Sequence, residues 1–175
     1  AVVDVIDIRY WHYKKDGIFA PEGGKNMAPR QHMRKMKVGK ITFNEAYKAV
    51  SEYRRKFPQK AVTFYAQNYP SMGWAVFMAS GSCPVIPCKD KAFLKDAAAM
   101  EVEETNTDQY KKLVKSDTGN IIYSKSGTEI PIHLSSGKYV LKYIHPNSGE
   151  VNTINKSLKI KGLYTLKVPD KKAVS

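Results

Sequence analysis

Residues 42–67, TFNEAYKAVSEYRRKFPQKAVTFYAQ, set the fold class, because a capped helix runs straight into a short apolar strand. Thr42 stands at the cap position and Glu45 three residues later, the spacing of a reciprocal capping box. Phe43, Ala46, Tyr47, Val50, Tyr53 and Phe57 then recur at helical spacing, and Pro58 ends the run. KAVTFYAQ reads as a second short apolar strand.

Reading outward, residues 2–11 are β-branched and aromatic, broken by charge only at Asp4, Asp7 and Arg9, which predicts a strand buried on both faces. Asp7, Arg9 and Trp11 share one face of it. Downstream, SMGWAVFMAS predicts a helix apolar almost all round, CPVI a third strand, and KAFLKDAAAM a helix capped by Asp90. Strand and helix alternating at this pitch describe crossover units and a parallel sheet. After the acidic EVEETNTD the pattern changes to short strands, YKKLV, NIIYS, EIPIHL, KYVLKYI, VNTI and LYTLKV. Their breaks, SDTG, KSGT, SSG and PNSG, carry turn chemistry. This part predicts a small antiparallel β-sandwich with Tyr139, Leu141 and Tyr143 on one face, and a division into residues 1–105 and 106–175.

The totals agree with a folded chain. Of 175 residues 42% are hydrophobic and 11% aromatic, which argues against disorder, and no apolar run approaches the roughly 20 residues of a membrane span. The net charge of +13 invites a polyanion reading. The lysines of the last third, however, recur singly at alternating positions, as one wet face of a sheet does, and no recognisable nucleic-acid module interleaves them with aromatics. Nucleic acid is therefore not an expected partner. Cys83 and Cys88 form a lone C-x4-C pair, too few ligands for structural zinc; buried thiols, or a disulfide in an oxidising compartment, are the expectations. His32, His133 and His145 are far apart and predict no metal site, and no cofactor fingerprint occurs. The chain opens at AVVDVIDIRYW, inside a strand and without a leader pattern, and reads as a portion of something longer.

Four stretches, DVIDIRYW, APEGGKNMAPRQH, GWAVFMASGS and the terminal β module, occur in an order that resembles the C-terminal portion of bacterial barrel-type glycoside hydrolases. In those enzymes the last barrel units run into a small β-sandwich often given a collagen-binding label. YIHPNSGEV resembles that module's aromatic-x-Asp-Pro-x-x-Gly-Glu turn, with His145 in place of the Asp. The resemblance implies an α/β part followed by an all-β part: the last strands and helices of a (β/α)8 barrel, then an antiparallel β-sandwich. A whole barrel takes about 250 residues, so earlier barrel chain of the same protein is an expected partner. Otherwise the free edge of the first strand would promote self-association. The family also implies a secreted, periplasmic or cell-surface location and a carbohydrate substrate.

Glycoside hydrolysis needs two carboxyl groups across the scissile bond. By resemblance the acid comes from an earlier strand, upstream of this chain, and the nucleophile from the end of the seventh. If AVTFYAQNY is that strand, its end offers Ala66, Gln67 and Asn68 and no Glu, a departure from the family pattern. Two carboxylates remain as catalytic candidates. Asp7 lies near the carboxyl end of a predicted parallel strand, where barrels place their chemistry; its plain alternative is an internal pair with Arg9. Glu22, in PEGGKN, has flanking glycines that let backbone approach a ligand; its alternative is a turn carboxylate paired with Lys25. Trp11 and His12 offer a sugar-stacking wall or simply an aromatic strand end. Arg9, Asn26, Arg30, Gln67 and Asn68 complete the substrate-binding candidates. The loop IFAPEGGKNMAPRQHMRKMK, residues 18–37, then reads as a lid or wall over the barrel mouth. Two other readings stay open: a non-catalytic module that holds carbohydrate or matrix protein, and a polyanion-binding surface.

Overall fold

The computed structural model describes residues 4–8, 12–14, 17–19, 42–65, 70–116, 118–124 and 128–168, with backbone alone at 12–14 and 17–19. The architecture is mixed, with strands in small, mostly antiparallel sheets and a few helices. It divides into two compact units, Ala1–Ile86 and Pro87–Ser175.

In the first unit β1 (Val5–Ile8) and β4 (Ala61–Phe64) pair in parallel, with Ile6 opposite Val62, Asp7 opposite Thr63 and Ile8 opposite Phe64. Between them lie a small antiparallel hairpin, β2 (His12–Lys14) with β3 (Gly17–Phe19), and helix α1 (Phe43–Lys56). The helix begins as the sequence predicts: the Thr42 hydroxyl accepts from the Glu45 N–H, and the Thr42 N–H donates to the Glu45 carboxylate at 2.8 Å. At its other end Arg54 donates to the Lys60 carbonyl at 2.8 Å and so ties the exit turn to the start of β4. Ala46, Tyr47, Ala49 and Val50 are buried, and α1 packs on β4, on β2 and on helix α2 (Pro70–Met78). Trp74 through Ala79 are buried, as an all-round apolar helix demands. Helix α2 ends in a Schellman arrangement with Ser80 in the left-handed region at φ 52°; Gly81 N–H donates to the Val76 carbonyl and Ser80 N–H to that of Phe77.

Two expectations change here. Ile8 of β1 is buried, but Val5 and Asp7 are exposed, so the strand alternates and is not covered on both faces. CPVI is not a strand. Pro84 and Pro87 lack the N–H groups a ladder needs, and Ser82 is what meets Val62 on the second edge of β4 among the described residues: its N–H donates to the Val62 carbonyl at 2.7 Å, and its hydroxyl accepts from the Val62 N–H at 3.1 Å.

The second unit opens with helix α3 (Lys91–Ala98), whose first N–H groups from Ala92 and Phe93 are accepted by the Asp90 carboxylate. An antiparallel sheet follows, β5 (Glu101–Glu103), β6 (Tyr110–Lys115) and β7 (Gly119–Ser124), with β6 in the middle. Its central position buries Lys111 and Lys112, residues of opposite faces, and each finds an oxygen: Lys111 the Thr107 carbonyl at 2.7 Å, Lys112 the Glu103 carboxylate at 2.8 Å. The acidic run taken for a turn thus supplies β5, whose outer glutamates disguise a strand with Val102 turned inward.

The last two strands are long, β8 (Glu129–Ile144) and β9 (Val151–Lys167), and form an antiparallel ribbon. The SSG break expected after Leu134 is a register shift between Leu134 and Gly137 inside one strand, and Tyr139 donates its hydroxyl to the Ser135 carbonyl at 2.7 Å there. Ile132, Leu134 and Ile160 form the ribbon's core, with Ile122 of β7, Tyr139, Leu158, Tyr164 and Leu166 packed against it. The turn between the strands is organised around His145. His145 Nδ1 accepts the Ser148 N–H at 3.3 Å, the acceptor work an Asp carboxylate does in such turns, and Gly149 sits at φ 74° with its N–H donating to the His145 carbonyl.

Close approach to neighbouring backbone, rather than helix or strand preference, fixes Gly73 and Gly149. A Cβ on Gly73 would strike the Val85 carbonyl, and one on Gly149 would lie 2.5 Å from the Pro87 carbonyl and the Cys88 nitrogen. Gly73→Ala, which in an open helix gains up to about 1 kcal/mol, should instead lose about 1–3 kcal/mol through overpacking against fixed backbone. Gly149→Ala should lose a similar amount by adding left-handed strain to the clash. Thermal melts below that of the parent are the expected result for both.

Burial raises the Tyr123 phenol above its ordinary 10.0. The folded state therefore favours the protonated ring more than the unfolded state does. That stabilisation is complete below pH 10 and is lost as pH rises through the raised value. The melting temperature of Tyr123→Phe relative to the parent should accordingly climb as pH rises above 10, read by circular dichroism.

Candidate functional site

The site follows from the parallel register of β1 on β4. Ala61 N–H donates to the Asp4 carbonyl and Tyr65 N–H to the Ile8 carbonyl, which brackets the pair and sets Asp7 directly beside Thr63. Alternation turns both away from the buried Ile8, Val62 and Phe64 side. The Thr63 hydroxyl donates to Asp7 Oδ1 at 2.9 Å. The Asp7 side chain is exposed to solvent on this face. Val5 and Ala61 precede the two residues toward the start of the strands, so the open face is apolar at its base and polar toward its carboxyl end.

Sequence reasoning did not single out Thr63 or Tyr65. Thr63 becomes a partner of Asp7 only through the strand register, which no local pattern discloses. Tyr65, directly after β4, is 38% exposed, with its ring tilted against Phe64 at a centroid distance of 5.8 Å. The aromatic at the end of AVTFY was a legible signal for it.

Of the other candidates, His12 lies in β2 with its backbone opposite Phe19. Arg9, Trp11, Glu22, Asn26, Arg30, Gln67 and Asn68 lie outside the described residues, as does the loop of residues 20–41. Among the described residues no three His, Cys, Asp or Glu side chains gather as a metal site would need, and no helix is long and apolar enough to cross a membrane. Both cysteines are free; Cys88 is buried, while Cys83 is exposed at φ 52°, so burial holds for one thiol and not for both.

Comparison with known proteins gives one positive result, a family model described as Domain of unknown function (DUF6298), which matches residues 1–100. No curated protein and no solved structure matches the chain. The family match contains the whole of the β1–α1–β4 unit, with Asp7 and Thr63, and covers more than half of the chain, which therefore belongs to the DUF6298 family.

Proposed function

We propose that this chain is the C-terminal part of a carbohydrate-active protein, a glycoside hydrolase of barrel type. In this reading β1 and β4 are consecutive barrel strands, and Pro87–Ser175 contributes a sandwich-like accessory module. The observation that carries the reading is the Asp7 carboxylate, exposed and held by the Thr63 hydroxyl at 2.9 Å near the carboxyl end of two parallel strands. Barrel enzymes place their reacting groups at that end. The sequential order β1, β4, Ser82 across the sheet fits successive barrel units, and the open face carrying Val5 and Ala61 fits the filled interior such a barrel would have. Earlier chain of the same protein would then lie along the edge of β1 away from β4. The family acid, supplied from upstream, is one of the two carboxyl groups; Asp7 serves as the other, with Glu22 the alternative candidate for that place.

A second reading keeps the sugar and drops the chemistry. The segment after β4 reads Ala66, Gln67, Asn68 where the resembled enzymes carry a Glu, which favours a protein that holds carbohydrate without cleaving it.

In the full-length parent, Asp7→Asn keeps an oxygen to accept from Thr63 but removes the charge. Release of sugar from a polysaccharide panel should fall by orders of magnitude, with the melting temperature unchanged. Glu22→Gln should do likewise if Glu22 fills that place instead. Unaltered rates in both variants would remove these residues from the chemistry. Calorimetric binding without turnover in the parent would favour the second reading.

A further inference from the structure

The β8–β9 ribbon shows two unlike faces. Positions 130, 132 and 134 of β8 and position 160 of β9 are buried, whereas 129, 131, 133, 138, 140 and 142 of β8 and 159, 161, 163, 165 and 167 of β9 are exposed. The exposed side carries Lys138, Lys142, Lys159, Lys161 and Lys167. Glu129 is the one carboxylate in the two strands, and Lys167 engages it at 3.0 Å. Lys138 and Lys159 stand directly opposite each other in the register, a like-charge pair that destabilises a sheet. Solubility does not call for this, since mixed signs would serve it as well.

The row of charge calls for a polyanion as its complement. Lys159 and Lys161 are about 6.6 Å apart along their strand and Lys138 and Lys142 about 13 Å, from the rise per residue. This side carries no Tyr, Phe or Trp on which bases would stack, its one aromatic ring being that of His133; Tyr139 and Tyr164 pack on the opposite, core face. Val140 and Leu163, 57% and 71% exposed, stand among the lysines and offer apolar contact to the CH faces of sugar rings.

We propose that this lysine face binds an acidic polysaccharide, a chain whose carboxylate or sulfate groups recur at sugar-ring intervals. The assignment stands on the second unit alone and is independent of Asp7. It is tested on the 175-residue chain with polygalacturonate as probe, dextran as the neutral control, and single-stranded and duplex oligonucleotides as rival polyanions. Polygalacturonate should bind at low salt and weaken as sodium chloride rises, while dextran should not bind. The fourfold variant K138Q/K142Q/K159Q/K161Q should lose binding by about tenfold to a hundredfold at an unchanged or higher melting temperature, and the matching fourfold arginine variant should retain it. No binding at low salt, undiminished binding by the glutamine variant, or loss in the arginine variant as well would overturn the proposal. So would tighter binding of either oligonucleotide than of polygalacturonate.

Discussion

Strand β4 has two edges to satisfy, and residue 62 serves the one that β1 does not. The N–H and carbonyl of Val62 are both taken up by Ser82, while Ala61 and Tyr65 send their N–H groups to β1. A buried backbone group left without such a partner costs about 1–3 kcal/mol, so one serine replaces a strand's worth of pairing at this point. The result is a strand held from both sides in one register, and that register puts Thr63 beside Asp7. The turn from α2 back to Ser82 depends on the same economy of space, with Gly81 folded so closely against Val76 and Val50 that a side chain there would meet both.

What was legible in the sequence was whatever is decided locally. The capping box of Thr42 and Glu45, the helical period behind it and the Asp90 cap each follow from residues within one or two turns of each other. The strands of the last third were legible for the same reason, their alternation being a property of a few consecutive side chains. Misreadings came where a long-range partner decides. SSG has turn composition, yet the flanking strands continue in pairing with β9, and a bulge absorbs the extra residues. CPVI has strand composition, yet two prolines withhold the donors. Glu101 and Glu103 look like loop residues until Lys112 gives one of them a partner.

The candidate site divides along the same line. Asp7 could be chosen from its place near the end of an apolar run. Its relation to Thr63, 56 positions away, required the parallel register. His145 shows the complementary, local case: the turn demands at that position an acceptor for the Ser148 N–H three residues on, and the ring nitrogen supplies it.

The two free thiols differ in a way that makes each a gauge of the other. Cys83 is open to solvent, and Cys88 is buried beneath a turn whose glycine allows no slack against the backbone of residues 87 and 88. A thiol reagent would meet the first at once and the second only when the second unit opens. With the chain supplying its own unprotected reference, the ratio of the two labelling rates reads the opening equilibrium of that turn directly, without any added probe.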